Sequence, residues 1–331
     1  MKEEEIRNFV DSTARAFQRS RVFLTAIELG IFRSLKEGSR TPRELALSLK
    51  ISEKGAKVLL RALASMGLIG KSGERYKLNH VSKFLVKDKN ETVLNSFMHV
   101  AHGWERWSSL TKAVKKGSIA EFSSGKSHDR KWRNYFISAM EVSSKYRARP
   151  VAEAIKGILK QSRKMIDLGG GSGGYAKAFL GVNPNLEVTV FDRPEIIPLA
   201  KRYLGNYFLK NFRIRLQGGD FLIDDFGEEY DLVFLSSIIH IYSPETIKKL
   251  LKSVFRSLND GGWVVIQDFI LEDTEIAPPG AALFGVHMLV STEEGSTYTK
   301  SEIRNWLKFV GFRRVQFLSL DGTSLVKAKK L

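Results

Sequence analysis

The run Met165-Ile166-Asp167-Leu168-Gly169-Gly170-Gly171-Ser172-Gly173-Gly174 constrains this chain most. An apolar strand enters a glycine-rich turn, and a helix from Tyr175 to Leu180 follows. Glycine lets the backbone come close to a ligand and accepts positive φ at little cost. The free N–H groups at the helix start favour a polar or anionic ligand. Gly169, Gly171 and Gly174 fit the G-x-G-x-x-G spacing of a dinucleotide fingerprint, a pattern that is weak by itself. Asp167, two residues before the first glycine, sharpens it. A carboxylate there faces the ligand site and repels a pyrophosphate, so a nicotinamide dinucleotide fits poorly. It suits a cation, such as the ammonium and sulfonium of S-adenosylmethionine.

The pattern continues downstream. Val188 to Phe191 reads as a second strand ending at Asp192, and an acid about 20 residues past the turn suits a ribose hydroxyl. Arg213 to Gln217 reads as a third strand, followed by Gly218-Gly219-Asp220-Phe221. There a carboxylate can accept from an adenine amino group while an aromatic ring covers the base. Asp231 to Leu235 and Gly262 to Phe269 read as the fourth and fifth strands, and Phe317 to Lys327 as the last one or two, in a terminal hairpin. Helical patterns between the strands predict an α/β fold, a doubly wound, mostly parallel Rossmann-like sheet with its ligand at the carboxyl strand ends.

A chain of 331 residues suggests more than one domain. The expected division is 1–95, a winged-helix domain; 96–160, a helical linker with substrate-pocket residues; and 161–331, the ligand-binding sheet domain. Cysteine is absent, which excludes disulfides, thiolate metal sites and cysteine nucleophiles. No apolar run reaches membrane-spanning length, and the polar N-terminus carries no visible signal peptide, so a cytoplasmic enzyme is expected. The six histidines show no metal-ligand spacing, and no metal is expected. Residues 1–160 hold 32 Lys and Arg against 16 Asp and Glu, whereas 161–331 hold 21 against 20. That asymmetry raises nucleic acid as a partner, but the basic residues are dispersed and read as a solvated surface.

Thr41-Pro42-Arg43-Glu44 is a capping box with proline at the first helical position. A short helix runs to Leu49, and Ser52 caps a second from Glu53 to Met66, stopped at Gly67. Strand, turn and strand follow from Leu68 to Leu78. Helix, turn, helix and wing make a winged helix, whose second helix would show Lys54, Lys57 and Arg61 to DNA phosphates in a regulator. Ahead of it, Ile6, Phe9, Val10 and Phe17 give a terminal helix an apolar face that needs a partner surface. Lys115 to Arg133 reads as a loop, and Lys131 to Ile158 as a helix.

In this order the pieces resemble the class I S-adenosylmethionine-dependent methyltransferases. They are closest to the small-molecule O-methyltransferases of the caffeic acid and hydroxyindole type. The resemblance spans nearly the whole chain. It rests on Trp104-x-x-Trp107-x-x-Leu110, Phe136 to Met140, Asp167 to Gly173, Phe191-Asp192-Arg193-Pro194, Gly219-Asp220-Phe221, His240 and Met288-Leu289. It implies a homodimer built through a winged-helix domain that does not read DNA and that helps close the substrate pocket.

The resemblance also implies site roles. Asp167, Gly169, Gly170 and Gly171 hold the methionine part of the cofactor; Asp192 with Arg193 meets the ribose; Gly219, Asp220 and Phe221 meet the adenine. Ser236 stands where many members have lysine. His240 matches the catalytic histidine, but the family's His-Asp-Trp motif reads His240-Ile241-Tyr242 here. Asp268 stands where the family often has a glutamate that orients the histidine, and Thr297 where it has a second. Trp104, Phe136, Met140, Phe284, His287 and Met288 are expected to line an apolar pocket for a flat acceptor. The expected reaction is methylation of a hydroxyl on a small aromatic, with His240 as general base. The altered motif leaves C- or N-methylation of a ring compound, such as a tetrapyrrole or quinone precursor, as the alternative. A winged-helix regulator is the alternative of another class.

Overall fold

The computed structural model describes residues 2–88, 92–118, 130–210, 212–320 and 322–331. The chain divides into two compact units, Met1–Trp104 and Glu105–Leu331.

The first unit opens with α1 (Glu3–Glu28), α2 (Ile31–Lys36), α3 (Pro42–Leu49) and α4 (Glu53–Ser65). Two short antiparallel strands follow, β1 (Gly70–Ser72) and β2 (Arg75–Lys77), then α5 (His80–Leu85) and α6 (Thr92–His102). The expected caps form. Glu44 N donates to Thr41 Oγ1 at 3.2 Å while Thr41 N donates to Glu44 Oε2 at 2.8 Å, and Gly55 N donates to Ser52 Oγ at 3.0 Å. Ile27, Ile31, Phe32, Leu45, Leu60 and Leu63 fill the core. On α1, Phe9 and Phe17 remain 64% and 55% exposed, and Ile6 and Val10 are exposed beside them. Trp104 closes this unit, with the Arg21 guanidinium 5.2 Å from its ring centre.

The second unit begins within α7 (Trp104–Ser108) and continues through α8 (Leu110–Lys116), α9 (Arg130–Ala154) and α10 (Lys156–Gln161). The loop expected over 115–133 falls largely on residues 119–129, outside the described ones. The single helix expected over 131–158 is two, because Ile155 at φ −113°, ψ 16° leaves helical geometry.

The sheet follows. Its strands are β3 (Lys164–Leu168), β4 (Glu187–Asp192), β5 (Ile214–Gly218), β6 (Tyr230–Ser236), β7 (Leu258–Asp268), β8 (Arg313–Leu320) and β9 (Thr323–Lys329). The helices are α11 (Gly174–Val182), α12 (Ile197–Leu204), α13 (Asn206–Lys210), α14 (Pro244–Ser257), α15 (Pro279–Ser291) and α16 (Lys300–Val310). The strand order is β5-β4-β3-β6-β7-β9-β8, with β5 to β7 parallel and β9 and β8 joined as an antiparallel hairpin. β7 starts four residues before the expected Gly262, because Leu258 pairs with Tyr230 across a bulge. The strand order reverses at β3, so the carboxyl ends of β3, β4 and β6 flank the crevice where such sheets bind ligands. Two cores form. Leu168, Val233 and Ile266 belong to one, and Met165, Val190 and Phe234 to the other. Among the described residues no helix is long and apolar enough to cross a membrane.

Candidate active site

The glycine turn is held against β4. Gly169 N donates to Phe191 O at 2.8 Å, and Gly171 N to Asp192 Oδ2 at the same distance. A side chain at Gly170 would place its Cβ 2.7 Å from Val190 Cγ1, so the turn packs only as glycine. At Gly171 the φ is 57° and a Cβ would meet nothing nearer than 4.0 Å. That face is therefore open to a ligand, while the backbone conformation still favours glycine.

Asp167 sits on β3 between Val190 and Phe234 and is fully buried. Neither carboxyl oxygen has a hydrogen-bond partner. Burial, with the nearby Asp192 charge second, pushes its pKa up to about 8. Asp167 borders a cavity lined also by Met140, Ser143, Gly171, Tyr175 and Ser236. Asp192 Oδ1 accepts from Arg193 N at 2.8 Å; burial raises this acid too, against the lowering effect of its two N–H donors. Gly219 N donates to Asp192 O at 3.0 Å, which joins the third motif to the second. Asp220 Oδ1 accepts from Leu222 N at 2.9 Å, and Phe221 meets Tyr242 edge to face at 6.2 Å.

His240 lies on a 3-10 turn, Ile239–Ile241, just past β6, and Asp268 ends β7. Both are buried. The imidazole Nδ1–H donates to Asp268 Oδ1 at 2.6 Å. Asp268 also accepts from Ile239 N at 3.1 Å and Phe269 N at 2.8 Å, which fixes its plane. The Phe284 ring stands edge to face with His240 at 4.8 Å and stacks on Phe269 at 3.9 Å. His287 follows on the same helix, 5.6 Å from Phe284 between ring centres.

The acceptor-pocket residues separate. Phe284 and His287 gather round His240, whereas Met140 borders the glycine-turn cavity. Phe136, on α9, stacks on Trp132. Met288 is buried in α15. Trp104 belongs to the first unit. Thr297 packs under α15, its Oγ1 2.8 Å from where a Cβ on Gly285 would lie.

One feature at the strand ends escaped the sequence reading. Tyr175 OH donates to Gln267 Oε1 at 2.9 Å, Ser236 Oγ to the same oxygen at 2.5 Å, and Gln267 Nε2 to Thr323 Oγ1. The available signal was a glutamine at the end of the buried run Val264-Val265-Ile266, where a polar group needs partners.

Residues 97–313 match the O-methyltransferase domain, and residues 12–88 match the O-methyltransferase dimerisation domain. The chain belongs to the O-methyltransferase family. It is an S-adenosylmethionine-dependent enzyme of that family. The dimerisation match takes in the helices and two-stranded wing first considered for DNA reading. 3-Hydroxy-5-methyl-1-naphthoate 3-O-methyltransferase of Streptomyces sahachiroi is 28% identical, over 96% of this chain and 93% of its own length. Acetylserotonin O-methyltransferase of Gallus gallus is 29% identical, over 92% and 91%. Among solved structures, human N-acetylserotonin methyltransferase in complex with SAM has the same fold. Its TM-score is 0.86 at 24% identity, over 100% of this chain and 99% of that one.

Proposed function

We propose that this O-methyltransferase methylates a hydroxyl on a small aromatic acceptor, with His240 as general base. The observation that carries this reading is the buried His240–Asp268 pair. Donation from Nδ1–H to the carboxylate turns Nε2 away from Asp268, and in a neutral ring that nitrogen carries the lone pair. A base so oriented can take a phenol proton as the oxygen attacks, for roughly 10²- to 10⁴-fold in rate. The proton goes to Nε2, and Asp268 stabilises the imidazolium. Phe284 supplies an apolar wall beside the base.

The residues present fit the cofactor. Asp167 offers two unpartnered carboxyl oxygens to a cation, and Gly171 offers an open backbone face. Asp192 and Asp220 supply acceptors for ribose and adenine groups, with Phe221 beside them. S-adenosylmethionine supplies a methyl group on a sulfonium, open to in-line attack. Holding acceptor and methyl aligned is worth roughly 7–11 kcal/mol. The dimerisation domain supports a homodimer, and the exposed apolar face of α1 is the surface we assign to it.

The test is methyl transfer from labelled cofactor to a panel of phenols, quinones and porphyrins. Label on the oxygen of a phenol supports the reading. Label only on ring carbon or nitrogen would replace it with the C- or N-methylation alternative.

A further inference from the structure

A second imidazole stands beside the base, with the opposite polarity. His287 Nδ1 takes a hydrogen bond from Trp107 Nε1–H at 3.1 Å, and the two rings are near parallel, 18° apart. Indole nitrogen can only donate, so Nδ1 must accept. Ser291 Oγ lies 3.5 Å from the same nitrogen, and a hydroxyl can donate as well. Burial, with the Arg106 charge next, holds the His287 pKa below its ordinary 6.5, which favours the neutral ring near pH 7. A neutral imidazole carries one proton, and with Nδ1 accepting it sits on Nε2. Among the described residues no protein group bonds that Nε2–H. His240 is the converse, because its Nδ1 faces a carboxylate oxygen, Asp268 Oδ1, which can only accept. The two rings flank Phe284, at 4.8 and 5.6 Å.

We propose that His287 is a specificity-determining donor. Its Nε2–H, kept in that tautomer by Trp107, bonds an oxygen near the reacting hydroxyl. The substrate class is then an aromatic with a second oxygen near the hydroxyl that is methylated beside His240. This rests on the acceptor reading above and narrows it. An acceptor without the second oxygen leaves the Nε2–H unpaired, and a site built around a hydrogen bond rejects such analogues strongly.

Two measurements test it. The first is NMR of the histidine ring nitrogens in the protein saturated with S-adenosylhomocysteine. The expected result is a neutral His287 protonated on Nε2 near pH 7, with that single tautomer lost in Trp107→Phe. A charged ring, or a proton on Nδ1, overturns the proposal. The second is calorimetric affinity, with S-adenosylhomocysteine bound, for a naphthol bearing a methoxy group next to its hydroxyl. The control is the same naphthol bearing a nearly isosteric ethyl group. The methoxy compound is expected to bind about tenfold tighter or more. His287→Phe should bring the ratio near one, and His287→Asn, which keeps a donor, should restore part of it. Equal binding by the parent, no binding of either naphthol, or a ratio unchanged in His287→Phe overturns the donor role. If the ratio behaves as expected but no oxygen is methylated, the donor role stands and the O-methylation reading falls.

Discussion

A buried carboxyl with no partner and a pKa near 8 is a liability in the ligand-free protein. Between the ordinary 3.8 and about 8, folded Asp167 keeps a proton that the unfolded chain has released. The folded state then binds more protons, so this residue's contribution to stability falls as pH rises across that window. The melting temperature of the ligand-free parent should therefore drop relative to Asp167→Asn between about pH 5 and 8, and parallel curves would refute this. A bound cation reverses the preference and favours the carboxylate. Binding of S-adenosylmethionine at pH 7 should release most of a proton, read by calorimetry in buffers of different ionisation enthalpy, and Asp167→Asn should release none. With His240 as the proposed base, His240→Ala should lower kcat at least a hundredfold and leave cofactor affinity nearly unchanged, because that role is played on the acceptor. A variant with near-parental kcat would remove proton abstraction from its role.

The glycine turn and the elements around it set a tighter demand than composition suggests. A methyl group at Gly170 would press on Val190 and come within 3.0 Å of the Asp167 carboxyl. Gly170→Ala should cost about 1–3 kcal/mol in chemical denaturation, as overpacking does, and weaken cofactor binding beyond that. Parental affinity in calorimetry would show that the turn has room to shift. This turn was legible because its signals are local: apolar strand, glycines, helix start and one acid. The break at Ile155 and the early start of β7 were not, since the first depends on packing and the second on Tyr230 across the sheet. The terminal hairpin was legible as one or two strands over Phe317 to Lys327, but its extent from Arg313 to Lys329 and its place between β7 and the sheet edge were not.

For the whole molecule, α1 leaves Ile6, Phe9, Val10 and Phe17 exposed on a domain matched as a dimerisation domain. Burying such a face in a two-fold interface removes apolar surface from water at about 25 cal/mol per Å². Light scattering at micromolar concentration should give twice the 37.4 kDa of one chain. Phe9→Asp with Phe17→Asp should shift the population toward single chains without unfolding the sheet unit. A parent at the mass of one chain would contradict the assignment.

By itself the sequence determined the ordered motifs and the sheet domain, because each motif is carried by residues close along the chain. Asp167, Asp192, Asp220 and His240 could be read from spacing and family resemblance. Tertiary structure alone decided which of those groups meet. His240 and Asp268 are 28 residues apart and touch only because β6 and β7 pair in register. Gln267 gathers Tyr175, Ser236 and Thr323 from three other elements. Trp107 reaches His287 across 180 residues, a bond that no local pattern encodes. Hydrogen-bond polarity is a property of partners in space, so it appears only once the chain has folded.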